Sequence, residues 1–201
     1  VSKYSDDLDE NITLDSLGSL HWQKRKAEAK KKIKDAAKKL ISTASKRLQT
    51  KSYNINTENP EYDKFASTFP YVETDDQLNA IQDVFNDFSK QTPSDRLIVG
   101  DVAFGKTEVI LRAIFLAAKS KLQSVVLVPT TILSRQHYNN FTKRLSIFNI
   151  KVAEVSRLIS NNQKKEIFAK CNSGNIDVLI GTHALLNDKL QFNKLGLIIY
   201  D

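Results

Sequence analysis

Within its 201 residues the chain has one cysteine, Cys171, and no methionine. A single thiol can form neither an internal disulfide nor a cysteine-rich metal site, so a reducing, intracellular and hence cytoplasmic setting is expected and secretion is disfavoured. No run of 18 apolar residues occurs, and residues 1–10 are acidic rather than a basic start followed by an apolar stretch. Neither a membrane span nor a signal peptide is therefore expected. Internal repeats and low-complexity tracts are also absent. What is present is ordinary globular material: 41% hydrophobic and 26% charged residues, enough for a packed core. At roughly 100 to 200 residues per domain, the length admits one domain plus a connecting piece. The chain starts at Val1 and stops at Asp201, directly after the apolar run Leu197-Ile198-Ile199-Tyr200, and so reads as a piece of a longer protein.

The charge is uneven. Residues 22–51 hold twelve Lys or Arg against Glu28 and Asp35, a local balance of +10, whereas the whole chain carries +7. In that stretch Trp22, Ala29, Ile33, Ala36, Leu40, Ala44 and Leu48 recur at spacings of three, four and seven, the period of one helical face. A long, basic, amphipathic helix is expected, with Ser19 as its N-cap and irregular chain around Gly18 and residues 5–11. A Lys-rich helix of this kind is either a solvated connector or a contact for nucleic acid or an acidic partner; the charge alone does not choose.

Periodicity fades over residues 52–70, where Asn54, Asn56, Asn59, Pro60 and Pro70 accumulate, and a loop with short helical turns is expected. Beyond it the pattern alternates. Helices are expected over 75–90, 106–120, 131–145 and 162–170, with strands over 96–99, 124–128, 151–155, 177–180 and 197–200. This is the α/β pattern of a parallel sheet covered on both faces. The expected organisation is the end of a preceding module over 1–18, a basic connecting helix over 19–51 and a second domain over 52–201.

Gly100-Asp101-Val102-Ala103-Phe104-Gly105-Lys106-Thr107 fits G-x-x-x-x-G-K-[ST] and lies between an expected strand and an expected helix, as a phosphate-binding loop must. Glycines let backbone N–H groups turn towards phosphate oxygens. Lys106 carries its ammonium to the β and γ phosphates, and Thr107 offers a hydroxyl to Mg²⁺. A nucleotide cradle names no reaction by itself.

Neighbouring strings narrow the field. Phe69-Pro70-Tyr71 is followed by Thr74 and Gln77. Pro129-Thr130-Thr131-Ile132-Leu133-Ser134-Arg135-Gln136-His137 follows one expected strand, and Gly181-Thr182-His183-Ala184-Leu185-Leu186 follows another. With the phosphate loop, these strings resemble the superfamily 2 helicase-like motors, and within them the bacterial transcription-repair coupling factors. The resemblance covers essentially the whole chain. It implies a RecA-like P-loop domain, the first motor domain of an ATP-dependent double-stranded DNA translocase, using ATP and Mg²⁺. Gln77, supported by Thr74, would read the adenine edge, and Phe69 or Tyr71 would stack on the ring. Gln77 also reads as an ordinary polar residue at a helix start. Lys106 and Asp201 would be the catalytic residues present, with Thr107 and Asp201 holding the metal. Thr130, Thr131, Gln136, Arg157, Gly181, Thr182 and His183 would meet the DNA sugar-phosphate backbone without reading sequence. Thr131 and Thr182 could equally be helix caps.

The resemblance further implies RNA polymerase as a partner of the preceding module and an excision-repair damage-recognition protein as a partner of other segments, with no membrane association. Two alternatives stay open: a fork-remodelling helicase of the RecG type, or a non-catalytic module that binds polymerase or nucleic acid. The RecG family usually has Ser at the position of Phe104 and Pro-Thr-Glu at Pro129-Thr130-Thr131. Both families usually have Gly where this chain has Ala103, and a methyl group there would crowd the loop if φ had to be positive.

Overall fold

The computed structural model describes residues 20–90, 92–157 and 159–201. The expected Ser19 cap and the irregular segment 1–18 lie outside them. The chain divides into two compact units, 1–50 and 51–201. The described part of the first unit is one helix, α1 (Leu20–Gln49), of 30 residues. At about 1.5 Å per residue it is roughly 45 Å long. Its apolar positions Ile33, Leu40 and Leu48 share a face but lie 70–74% exposed.

The second unit follows the alternating pattern. Its elements are α2 (Tyr62–Ala66), α3 (Asp75–Phe88), α4 (Lys106–Lys119), β1 (Gln123–Leu127), α5 (Thr131–Leu145), β2 (Val152–Val155), α6 (Asn161–Asn172), β3 (Val178–Gly181) and β4 (Leu195–Tyr200). Short 3₁₀ turns occupy Ser146–Phe148 and His183–Leu185. The four strands form one parallel sheet in the order β2-β3-β1-β4. Alternation along the strands separates two apolar layers. Val126, Val178 and Ile180 pack with α4 and α5, while Val125, Leu179 and Val155 pack with α6 and Leu185. α2 joins the first layer through Phe65, stacked on Phe115 of α4 at 4.3 Å.

One expected strand is absent. Residues 96–99 join no ladder, and Leu97 and Val99 are 86% and 85% exposed. β-branched and apolar residues favour a strand only where a partner edge and a covering layer exist, and neither engages this segment. It is fixed at its ends instead. Arg96 pairs with Asp83 at 2.9 Å and with Asp87, and the Gly100 carbonyl accepts from Lys106. Arg96 holds the Asp87 carboxyl below the usual carboxylate range; burial opposes this and Lys90 assists it.

The rear end of the sheet, where the strands begin, is tied by one buried side chain. Gln123 Nε2 donates to the carbonyls of Cys171 and Ile176 at 3.0 and 2.7 Å, and its Oε1 accepts from the N–H groups of Asn193 and Lys194 at 2.7 and 3.1 Å. Burial also pushes the Cys171 thiol up to about 11. Among the described residues no helix is long and apolar enough to cross a membrane.

Candidate functional site

The phosphate-loop string forms a turn ahead of α4. Two of its residues adopt left-handed backbone, Ala103 at φ 67° and Gly105 at φ 71°. Glycine takes that conformation freely, but alanine does so at a cost of about 1 kcal/mol or more, so Ala103 is a strained position. Lys106 Nζ donates to the carbonyls of Gly100 and Asp101 at 2.5 and 2.7 Å, which brings the ammonium over the loop. Lys106 and Thr107 begin α4; the Glu108 N–H already donates to the Gly105 carbonyl at 2.9 Å, while the N–H groups of Lys106 and Thr107, ahead of it, suit an anion. Asp101, Val102, Ala103 and Phe104 are exposed.

Gln77 meets this loop from α3. Thr74 caps α3 by accepting from the Gln77 N–H at 3.2 Å, while Gln77 Oε1 accepts from the Thr74 N–H at 3.0 Å. Gln77 Nε2 donates to the Phe104 carbonyl at 3.0 Å. A side chain added at Gly105 would stand 2.3 Å from Nε2, so the glycine also makes room for the amide. Gln77 is thus a helix-start residue that also bonds to the phosphate loop. One N–H and one lone pair of the amide remain beyond these bonds, the pair that an adenine edge requires. Phe69 is partly buried and Tyr71 is 74% exposed, with their rings edge to face at 5.4 Å.

Behind the loop lies a charged cluster that the sequence reading missed. Glu108, 3% exposed in the first turn of α4, accepts from Arg112 Nε at 2.9 Å and from both terminal nitrogens of Arg144. Arg112 also donates to Glu73 and to the Tyr62 hydroxyl at 3.2 Å. Arg144 donates to Thr68 Oγ1 at 3.0 and 3.1 Å and lies over the rings of Phe65 and Phe69 at 4.8 and 5.7 Å. Burial works against the Arg112 charge, but its hydrogen bonds to Glu108 and Tyr62 outweigh this and raise its affinity for its proton. Burial raises the Tyr62 hydroxyl, and Arg112 partly offsets it. The i, i+4 spacing of Glu108 and Arg112 was a signal in the sequence, but such pairs usually sit on exposed helix faces.

The second group of expected residues gathers at the C-terminal edge of the sheet. Leu127 aligns with Gly181 and Tyr200, and Val155 aligns with Gly181, so the loops after β1, β2 and β3 leave together, beside Asp201 at the end of β4. Thr130 is the cap of α5, accepting from the Leu133 N–H at 3.2 Å; Thr131 is the first helical residue and not the cap. Thr182 caps nothing through its side chain and is 4% exposed, so its hydroxyl is not presented to a partner here. It lies directly beyond the buried end of β3, which draws it inward. Gln136, Arg157 and His183 are exposed, and Gly181 is buried.

Asp201 does not bond to Lys106 or Thr107. Its Oδ2 stands 2.6 Å from His137 Nε2 on α5, and its N–H donates to the Leu127 carbonyl at 3.0 Å. No spacing in the sequence signalled His137. The two groups are linked by α5, which bears Thr130 at its start, His137 in its middle and Arg144 at its end.

Residues 74–201 match the DEAD/DEAH box helicase family model. The whole chain is similar to transcription-repair-coupling factors: 44% identical to that of Rickettsia conorii, 45% to that of Borreliella burgdorferi and 38% to that of Escherichia coli. It spans 18% of the length of each of these relatives. The fold is similar to that of RecG solved bound to a three-way DNA junction, with a TM-score of 0.72 and 34% identity over 78% of this chain and 22% of that one. A RecA-like α/β unit with a nucleotide-binding loop, matched by that model over more than half its length, places the chain in the DEAD/DEAH box helicase family.

Proposed function

We propose that this chain carries the ATP- and DNA-backbone-binding half of a double-stranded DNA translocase that displaces stalled RNA polymerase and couples transcription to excision repair. The observation that carries this reading is Lys106. Its ammonium is held at two loop carbonyls, 2.5 and 2.7 Å away, at the start of α4, and the Gln77 amide bonds to the same loop at the Phe104 carbonyl. This arrangement suits a nucleotide: two left-handed residues, the first amides of α4 and a cation lie within one eight-residue loop and the helix start that follows it. Lys106 and the amides of α4 would hold phosphates. Gln77, with Thr74 orienting it and Phe69 and Tyr71 alongside, would take the adenine. Thr107 and Asp201 would hold Mg²⁺, whose chemistry when bound is to neutralise charge on the transferring phosphoryl group.

Thr130, Thr131, Gln136, Arg157 and His183 would meet phosphates of the duplex, with Gly181 and Thr182 shaping the third loop. Hydroxyls, a guanidinium and helix-start amides bind phosphate without reading bases, so binding should be indifferent to sequence and weaken with salt. The relatives named as coupling factors, 38–45% identical over the whole chain, favour polymerase and an excision-repair protein as partners over fork remodelling.

The test uses the intact natural polypeptide bearing this chain. ATP hydrolysis should rise when any double-stranded DNA is added. Lys106→Ala should bind a fluorescent ATP analogue roughly 100-fold more weakly, about 2.7 kcal/mol, the worth of a charge-assisted phosphate contact. An unchanged affinity would refute the site. Ala103→Gly is expected to act on stability instead. The left-handed alanine strains the loop as it stands, so its relief, near 1 kcal/mol, should raise the melting temperature by about 2–4 °C, and equal melting of variant and wild type would show that the methyl group costs nothing.

A further inference from the structure

We propose that His137 is the positioning residue for Asp201, and that through it α5 makes the metal-bound nucleotide and duplex DNA bind cooperatively. This rests on the function proposed above and assigns a role to a residue that function leaves unused.

The bond is short and confined. His137 Nε2 and Asp201 Oδ2 are 2.6 Å apart, with the imidazole side chain 6% exposed and the carboxylate 24%. Carboxylates accept only, so the imidazole N–H donates. The ring is held from the core side by Phe141, one turn further along α5, with centroids 5.2 Å apart; Phe141 is itself fully buried. The aspartate backbone is fixed separately by its N–H bond to the Leu127 carbonyl, which extends the β1–β4 ladder by one residue. Asp201 is thus located by β1 through its backbone and by α5 through its side chain. A rigid shift of α5 moves the carboxylate against its own strand.

That helix starts where the nucleic acid is proposed to bind. Thr130, its cap, precedes His137 by about two turns, roughly 10 Å along the axis. Arg144, two turns beyond, grips Glu108 in the first turn of α4. Two side chains of one helix, His137 and Arg144, therefore join it to the metal carboxylate and the phosphate-loop helix, and its cap Thr130 lies in the proposed backbone-contact loop. A packed helix is not continuously deformable, so a displacement at its start is passed to His137 rather than absorbed. Coupling of this kind is reciprocal: whatever DNA does to nucleotide affinity, nucleotide does to DNA affinity.

The experiment measures binding of a fluorescent ATP analogue to the intact natural polypeptide across a magnesium titration, with and without a random-sequence duplex. Wild-type protein should bind the analogue more tightly when duplex is present. His137→Phe keeps the ring packing and removes the donor. It should need roughly ten-fold more Mg²⁺ and lose the duplex effect, while its analogue affinity in chelator stays that of wild type. His137→Gln, whose amide can reach Oδ2, should recover most of both. His137→Phe with wild-type magnesium dependence and a wild-type duplex effect would overturn the proposal. If His137→Phe does not fold by thermal melting, the comparison of His137→Gln with the shorter His137→Asn decides. A coupled glutamine and an uncoupled asparagine support the proposal, and equal behaviour overturns it. A wild-type protein that binds no analogue would overturn the nucleotide site and this inference together, whereas a wild type that binds it leaves the variants to test His137 alone.

Discussion

Glu108→Ala is expected to destabilise the second unit by roughly 3–5 kcal/mol, the usual cost of removing one partner from a buried ion cluster. The carboxylate is 2% exposed, and Arg112 and Arg144 are 4% and 11% exposed. Removing Glu108 leaves two guanidinium groups in the core with less than their full set of acceptors. Glu73, Tyr62 and Thr68 remain as partial partners, which keeps the expected cost from going higher. For a unit of this size each kcal/mol moves the melting temperature by about 2–4 °C, so a fall of about 10 °C is the expected reading. Glu108→Gln should fall in between, since it keeps an acceptor and loses the charge. Replacing Glu108, Arg112 and Arg144 together by apolar residues of similar volume should cost much less than Glu108→Ala alone, because buried charges repay little beyond their own desolvation. Thermal unfolding followed by circular dichroism gives the answer; a shift under about 2 °C for Glu108→Ala would mean that water reaches the cluster.

Gly181→Ala should be nearly as damaging, for a steric reason. A Cβ at that position would stand 2.3 Å from the Val155 carbonyl oxygen and 2.9 Å from Leu185 Cγ. Leucine can rotate away, but the carbonyl belongs to β2, which is in register with β3 at this residue pair. The strands would have to part, at an expected cost of about 3 kcal/mol or more, beyond ordinary overpacking. The loop carrying Thr182 and His183 begins at this point, so under the function proposed above the DNA stimulation of ATP hydrolysis should fall further than thermal stability alone requires. Gly100→Ala is the control. Its Cβ would meet only Lys106 Cγ and Cδ, at 3.6 and 3.7 Å, and its melting temperature should stay within about 2 °C of wild type. Equal melting of the two variants would mean that β2 and β3 yield at their ends.

Local signals carried much of this architecture. α5 begins at the expected residue because Thr130 can cap it, and α3 begins where Thr74 and Gln77 form a reciprocal cap. Both are decided within four residues. The unpaired segment 96–99 is the contrary case: its composition favours a strand, but composition cannot supply a neighbouring edge. The phosphate-loop residues could be named because backbone shape dictates the glycine spacing. Ala103 shows the limit of that rule, occupying a left-handed position that glycine would take without strain. Glu108 with Arg144 and His137 with Asp201 are pairings 36 and 64 residues apart, created only when helices pack on the sheet. No local pattern announces such partners, and both turned out to sit beside residues that motif spacing had already picked out.

The four-way hydrogen bonding of Gln123 has a mechanical consequence. It rivets the starts of β1 and β4 to the end of α6, at the end of the sheet away from the loops. Force entering through the loops pulls along the strands towards an anchored base. The ladder bonds, lying across that pull, then share the load as shear instead of parting one after another like the teeth of a zip. The loop end can flex while the base stays put, so amide exchange should be slowest around Gln123 and should quicken along each strand towards the loops.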